Sequence, residues 1–367
     1  MDLIRKRNAS KENKKAMNSR ERVLAALDHH EPDRLPLFAP NVMSTRKPYS
    51  DRVRQFLETF AFDGLTNLGG VLDHPAQHQE VAEDHLVDRY GCRYEYKGVG
   101  LPYCTHSPLA DAETIADVEA FDWPDPEAPG MIAADARQEA QRIAAETGYV
   151  TVVGISPIFH QYHYMRGFEQ WMMDVRLNPG VHEAIASHIA HIHGTLLMRL
   201  LEEVGDYADM VAAYDDFGWS SAPYMAPADF RRLIKPHYKR LVEGIKSRFP
   251  HIKFYLHSHG QVMDMVPDFI ECGVDVLNPI LPMDGMDPVR LKREFGRDLC
   301  FHGGIDVEHI LPFGTVDEVR EHVKRTIDIL GPGGGYWFKA QVISPVIPVE
   351  NIVAAYETAL EYGTYDR

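Results

Sequence analysis

Two imidazoles sit two residues apart at the end of an apolar run. In Phe254-Tyr255-Leu256-His257-Ser258-His259-Gly260, residues Lys253 to Leu256 read as a short buried strand. Side chains at i and i+2 of a strand share a face, so His257 and His259 point the same way. Gly260 then frees the backbone to turn. Imidazole ligates transition metals and carries protons near neutral pH. The pair is a candidate metal site; an acid–base pair, or two hydrogen-bonded structural histidines, are the alternatives.

Other polar clusters follow apolar runs in the same way. His160, Tyr162, His163, Tyr164 and Arg166 lie in a loop after Tyr149–Gly154, and Asp215 and Asp216 follow Ala208–Tyr214. Asn278 follows Val274–Leu277, His302 and Asp306 flank the turn after Leu299, and Lys339 and Gln341 follow Tyr336–Phe338. Such a set supplies general acids and bases, metal ligands and contacts for a polar or anionic substrate. Asp216, His302, Asp306 and Arg166 are assigned catalytic roles. His160, His163, Tyr164, Asn278, Lys339 and Gln341 are assigned substrate contacts. Adjacent strand residues face opposite ways, so one of the two aspartates enters the site, and Asp216 is chosen. Each has a structural alternative: a helix cap for the aspartates, a helix-start charge for Arg166, a turn cap for Asp306.

The elements that must position these residues alternate between short apolar strands and helical periodicity. Asn18 and Glu21 form a capping box for an N-terminal helix with Val23, Leu24 and Leu27 on its apolar face. Arg34–Pro40 and Asp63–Gly70 are two weak strands, and the six named above, Lys253–Leu256 among them, are regular. Residues 73–130 break the rhythm. Their Tyr90–Tyr96 run suggests a hairpin, and they read as an insertion covering one end of the main domain. Eight strand–helix units predict an α/β fold, a (β/α)8 TIM barrel over 18–367 with an N-terminal helix and an inserted hairpin region. No G-x-G-x-x-G follows the first strand, against a dinucleotide-binding sheet.

The chain has 367 residues, 45% hydrophobic, with a net charge of −16. Residues 1–17 read as a disordered basic tail: six Lys/Arg against Asp2 and Glu12 give its first 16 residues +4 and leave about −20 on the rest. A body that acidic argues against nucleic acid. The tail has no apolar core of a secretory signal, and no run of 18 apolar residues predicts a membrane span. Cys92, Cys104, Cys272 and Cys300 lie far apart and are expected to be reduced, which suits the cytoplasm.

From Met17 on, the chain resembles the uroporphyrinogen decarboxylase superfamily, which also holds cobamide-dependent methyltransferases. The resemblance is carried by Arg20–Leu27 with Asp33-Arg-Leu-Pro36, Met165-Arg-Gly-Phe-Glu169, Asp215-Asp-Phe-Gly218, His257-Ser-His-Gly260, Gly273–Pro279, Phe301–Asp306, Leu311–Thr315, Gly334-Gly-Tyr336 and Glu350-Asn351. It implies a TIM barrel. Two departures matter. The decarboxylases carry an arginine-rich run after the first strand, where this chain has Phe38-Ala-Pro-Asn-Val42. The methyltransferases hold zinc with His-x-Cys and a distant Cys; here the first pair is His257 and His259, and the distant position falls near Gln341-Val342.

The resemblance therefore implies zinc at His257 and His259, with a third ligand from Asp216, Glu350, Cys104 or a histidine of the 160–163 loop. It further implies a methyltransferase that moves a methyl group between a small molecule and a cobamide carried by a separate corrinoid protein. The alternative is a lyase acting on a smaller carboxylate without metal.

Overall fold

The computed structural model of the chain describes residues 16–42, 50–68, 78–98, 102–155, 158–340, 342–344 and 346–365. The expected basic tail lies outside them, apart from Ala16 and Met17, and so does Gln341.

Seven strands form one curled parallel sheet: β1 (Leu65–Asn67), β2 (Val150–Ile155), β3 (Met210–Tyr214), β4 (Lys253–His257), β5 (Val276–Ile280), β6 (Cys300–Gly304) and β7 (Tyr336–Lys339). They neighbour one another in chain order from β1 to β7. Parallel bridges from Leu37 to Phe338 and from Phe38 to Asp63 put segment 37–38 between the sheet's two edges. The arrangement is TIM-barrel-like. Segment 34–40, expected from sequence to be a strand, makes these two bridges and an antiparallel one from Arg34 to Thr364 before the two-residue strand Asn41–Val42 pairs with Val342–Ile343. Pro36 and Pro40 have no N–H to give a ladder.

Strand alternation divides the core in two. Phe38, Val150, Val152, Met210, Ala212, Tyr255, Val276, Cys300 and Trp337 fill the sheet's concave interior. The opposite residues pack against the surrounding helices. A helix at Ser19–Leu27 lies against the interior cluster through Val23, Ala26 and Leu27, and the Asn18–Glu21 capping box starts it. Ala26 O accepts from Gly335 N at 3.0 Å, tying this helix to the approach to β7. Arg22 fixes it further, bonding Asp33 and the buried Asp63 at 2.7 and 2.6 Å.

The inserted region is a four-stranded antiparallel sheet (Gln79–Ala82, His85–Val87, Arg93–Glu95, Tyr103–His106), larger than the hairpin the sequence suggested. Asp88 anchors it by accepting from Cys92 N, Tyr94 Oη and Gln161 Nε2. The four cysteines are free. Among the described residues no helix is long and apolar enough to cross a membrane.

Candidate active site

The stretch after β2, expected to be a loop, is a helix at Ile158–Arg166. Its start is organised from elsewhere. The Asp215 carboxylate accepts from Phe159 N at 2.9 Å and His160 N at 2.7 Å, so a side chain at the end of β3 satisfies the helix's first free N–H groups. Tyr238 Oη donates to the same carboxylate. Asp215 is fully buried, and burial pushes its carboxyl up to about 6 against these donors and His160. Asp216, next in the chain, turns into the mouth beyond the strand ends.

The helix brings His160, His163 and Tyr164 onto neighbouring positions at i, i+3 and i+4. Their rings touch: His160 to His163 at 5.2 Å and His163 to Tyr164 at 4.3 Å between centroids. His160 Nε2 lies 3.6 Å from Asp216 Oδ2. His163 is pressed into the wall, and burial pushes its imidazole down to about 3.

On the facing strand, His257 Nε2 lies 4.0 Å from Asp216 Oδ1, and His259 N donates to that oxygen at 2.8 Å. The His257 and His259 rings meet edge to face at 4.9 Å. Asn278 sets the His257 tautomer. Its Nδ2 donates to His302 O at 2.9 Å, so its Oδ1 is an acceptor for His257 Nδ1 at 2.6 Å. The His257 proton therefore sits on Nδ1, and Nε2 presents a lone pair. Burial, with His259 beside it, lowers His257 to about 4 against the pull of Asp216 and Asn278. A neutral imidazole thus faces a carboxylate across 4.0 Å. Two acceptors facing each other make a seat for a group that carries a proton.

Two loops are clamped together around this seat. Ser258 Oγ accepts from Phe217 N at 3.0 Å, and Gln261 N donates to Trp219 O at 2.8 Å. Gly260 has φ +88°, and a Cβ there would stand 2.2 Å from Gly218 C. Only glycine fits this approach.

Other expected site residues have different surroundings. His302 is buried in the interior, its ring 5.0 Å from Phe38 and 5.3 Å from Trp337, and Tyr255 Oη meets its Nδ1 at 3.1 Å. Arg166 is buried and bonds Asp174 at 2.6 Å and the Leu109 and Ala110 carbonyls at 2.6 and 2.9 Å. It joins the insertion to the helix bundle rather than facing the mouth. Asp306 caps its own turn, accepting from Glu308 N and His309 N. Lys339 shares the interior face of β7 with Trp337 and donates to Asn41 Oδ1 at 3.1 Å.

The sequence reading passed over Tyr214, Ser258 and Asp284. Tyr214 shares its strand face with the interior Met210 and Ala212, a legible signal, and its ring lies 5.6 Å from His257. Asp284, in a turn after β5, feels His259, while burial raises its carboxyl above the usual range. No local pattern marks it.

Of the expected third ligands for zinc, Asp216 and His160 face the pair, with Asp216 Oδ1 4.0 Å from His257 Nε2 and Asp216 Oδ2 3.6 Å from His160 Nε2. Among the described residues no three His, Cys, Asp or Glu side chains gather to hold a metal. Cys104 bonds the carbonyls of His106 and Tyr164, and Glu350 pairs with Arg52 on the surface.

Comparisons with known proteins agree with this architecture. In overall shape the chain is similar to a methyltransferase from Methanosarcina mazei, with a TM-score of 0.60 over 94% of this chain and 99% of that one. At 18% identity that likeness is one of fold. In sequence it is 30% identical over 158 residues to a uroporphyrinogen decarboxylase of Thermus thermophilus, covering 42% of this chain and 41% of the relative. It is 26% identical over 190 residues to one of Gloeobacter violaceus, covering 48% and 51%. The chain thus spans about half or less of the length of these curated relatives. The family model for uroporphyrinogen decarboxylase (URO-D) matches residues 86–362, about three quarters of the chain. By that match the chain is a member of the uroporphyrinogen decarboxylase family.

Proposed function

We propose that this family member is an enzyme that removes a methyl group from an oxygen of a small molecule and passes it to a cobamide carried by a separate protein. The observation that carries the reading is the neutral His257 facing Asp216 across 4.0 Å, with His160 against the other Asp216 oxygen. The segment that carries arginines in the decarboxylases is Phe38-Ala-Pro-Asn-Val42 here, which speaks against a substrate with many carboxylates.

The cobamide supplies the methyl-accepting centre. The chain's part is to hold the donor and manage one proton. When the methyl–oxygen bond breaks, the electron pair stays on oxygen, and that oxygen needs a proton to leave as a hydroxyl. Asp216, protonated through His160, donates that proton to the departing oxygen, and His257 Nε2 accepts from the hydroxyl that forms. His160, itself partly open to solvent, relays a proton to Asp216. General acid–base help of this kind contributes roughly 10²–10⁴-fold. The exposed rings of Tyr214 and Trp219 offer apolar surface at the mouth.

The test mixes purified protein, reduced cobalamin and a panel of small methyl ethers, and follows the cobalamin spectrum. Methylation that disappears in Asp216→Asn supports the reading. Carbon dioxide release from small carboxylates, with no change in the cobalamin spectrum, replaces it with the lyase.

A further inference from the structure

The concave face of the sheet holds two lysines with opposite fates. Lys253, at the start of β4, is paired with Asp28 at 2.9 Å. Lys339, at the end of β7, is not: its hydrogen-bond partner among the described residues is the neutral Asn41 Oδ1, and no carboxylate there pairs with it. Trp337, two residues earlier on the same face, stacks on Phe38, so the Lys339 stem rises from a packed aromatic floor into the mouth. Its neighbours by register and field are Gly304, His302 and His257, none of them an anion. Desolvation lowers its ammonium to about 8. An amine in such a place lacks the counter-charge that half-buried cations normally have.

We infer that Lys339 is the binding site for a carboxylate on the substrate, which makes the substrate a small monocarboxylic acid. β7 and β3 are separated by β6, β5 and β4 in the strand order. Lys339 and Asp216 therefore stand on opposite walls. A substrate bridging them puts its carboxylate at Lys339 and its reacting oxygen between Asp216 and His257. One ammonium beside a neutral amide matches one negative charge; a phosphate dianion would call for further donors. The geometry also sets polarity, because an acid bound the other way would bring its carboxylate against Asp216. The assignment rests on the mouth being the substrate site of the proposed enzyme.

The test is a calorimetric titration of the whole protein with benzoate and with benzamide, its neutral counterpart of the same shape. The aromatic probe suits the Tyr214 ring at the mouth. Benzoate is expected to bind at least about tenfold more tightly than benzamide, as one charge-assisted contact implies. Lys339→Met should erase that preference, and Lys339→Arg should keep most of it. Lys324→Met, a surface lysine paired with Glu321, should leave it unchanged. If Lys339→Met does not fold, Lys339→Gln serves with the same expected loss. The inference falls if wild type shows no preference, if benzoate gives no saturable binding, or if the preference survives removal of the ammonium. Neither methyl group nor cobamide enters this titration, so its failure leaves methyl transfer standing. Absence of methyl transfer in turn leaves the titration unaffected.

Discussion

Gly260→Ala tests whether the clamp between the two loops holds the site. A Cβ on Gly260 would lie 2.2 Å from Gly218 C and 2.3 Å from Gly218 O, where ordinary contact begins at 3.4 Å. The loops must part by about 1.2 Å (3.4 less 2.2). Forced repacking of this kind costs about 1–3 kcal/mol, and a left-handed residue with a side chain adds about 1–2. The expected loss is therefore about 2–5 kcal/mol. The same displacement stretches the 2.8 Å bonds from Gln261 N to Trp219 O and from His259 N to Asp216 Oδ1. A misplacement of about 1 Å costs roughly 10²-fold in rate. The control is Gly244→Ala, within the helix Lys235–Arg248, where a Cβ meets nothing within 4 Å. It should stabilise by about 0.5–1 kcal/mol, because glycine is a poor helix former. Urea-unfolding midpoints of the three proteins, with methyl-transfer rates, provide the comparison. A Gly260→Ala protein within about 0.5 kcal/mol of wild type and fully active would show that the two loops are not locked together.

Asp216→Asn should lower the methyl-transfer rate by roughly 10²–10⁴-fold, yet shift the urea midpoint little, since its amide oxygen can still accept from His259 N; an active variant would remove Asp216 from the chemistry. Turnover of uroporphyrinogen in a porphyrin assay should be absent, and a rate like that of a genuine decarboxylase would refute the argument from Phe38–Val42. His182 is fully buried with neither ring nitrogen bonded, and burial pushes its imidazole from 6.5 down to about 4. The unfolded chain takes that proton first, so stability is full above 6.5 and drains as pH falls toward 4, by roughly 3 kcal/mol. His182→Phe should flatten this acid slope in urea titrations at pH 7.5 and 4.5; an unchanged slope would contradict the assignment. Metal analysis after dialysis should find well under one zinc per chain, whereas stoichiometric zinc lost in both His257→Ala and His259→Ala would overturn the acid–base reading.

Legibility followed the range of the contacts. The strand ends and the Asn18–Glu21 cap depend on neighbours in sequence, and they lie close to where the residue pattern put them. The helix Ile158–Arg166 carries no local start signal, because its start is satisfied by Asp215, 56 residues from Phe159. Arg166 looked like an anion contact because its partners, Asp174 and the carbonyls of Leu109 and Ala110, come from a neighbouring helix and from the insertion. His302 shares its strand face with interior residues, but a pattern does not say that Phe38 and Trp337 crowd around it.

The two adjacent aspartates show why a local rule can be right and incomplete. Alternation along β3 sends one carboxylate outward and the next toward the mouth, and the side chains of Asp215 and Asp216 do diverge. Alternation alone also makes the outward one look dispensable. Asp215 instead carries the backbone of the helix that presents His160, while Asp216 meets the His160 side chain. One carboxylate sets where the imidazole stands, and its neighbour lies 3.6 Å from the imidazole's Nε2. Loss of Asp215 would therefore disturb the same histidine that loss of Asp216 would leave without its partner. Activity measurements alone would confuse the two; the position of the helix start, read by amide exchange at Phe159 and His160, separates them.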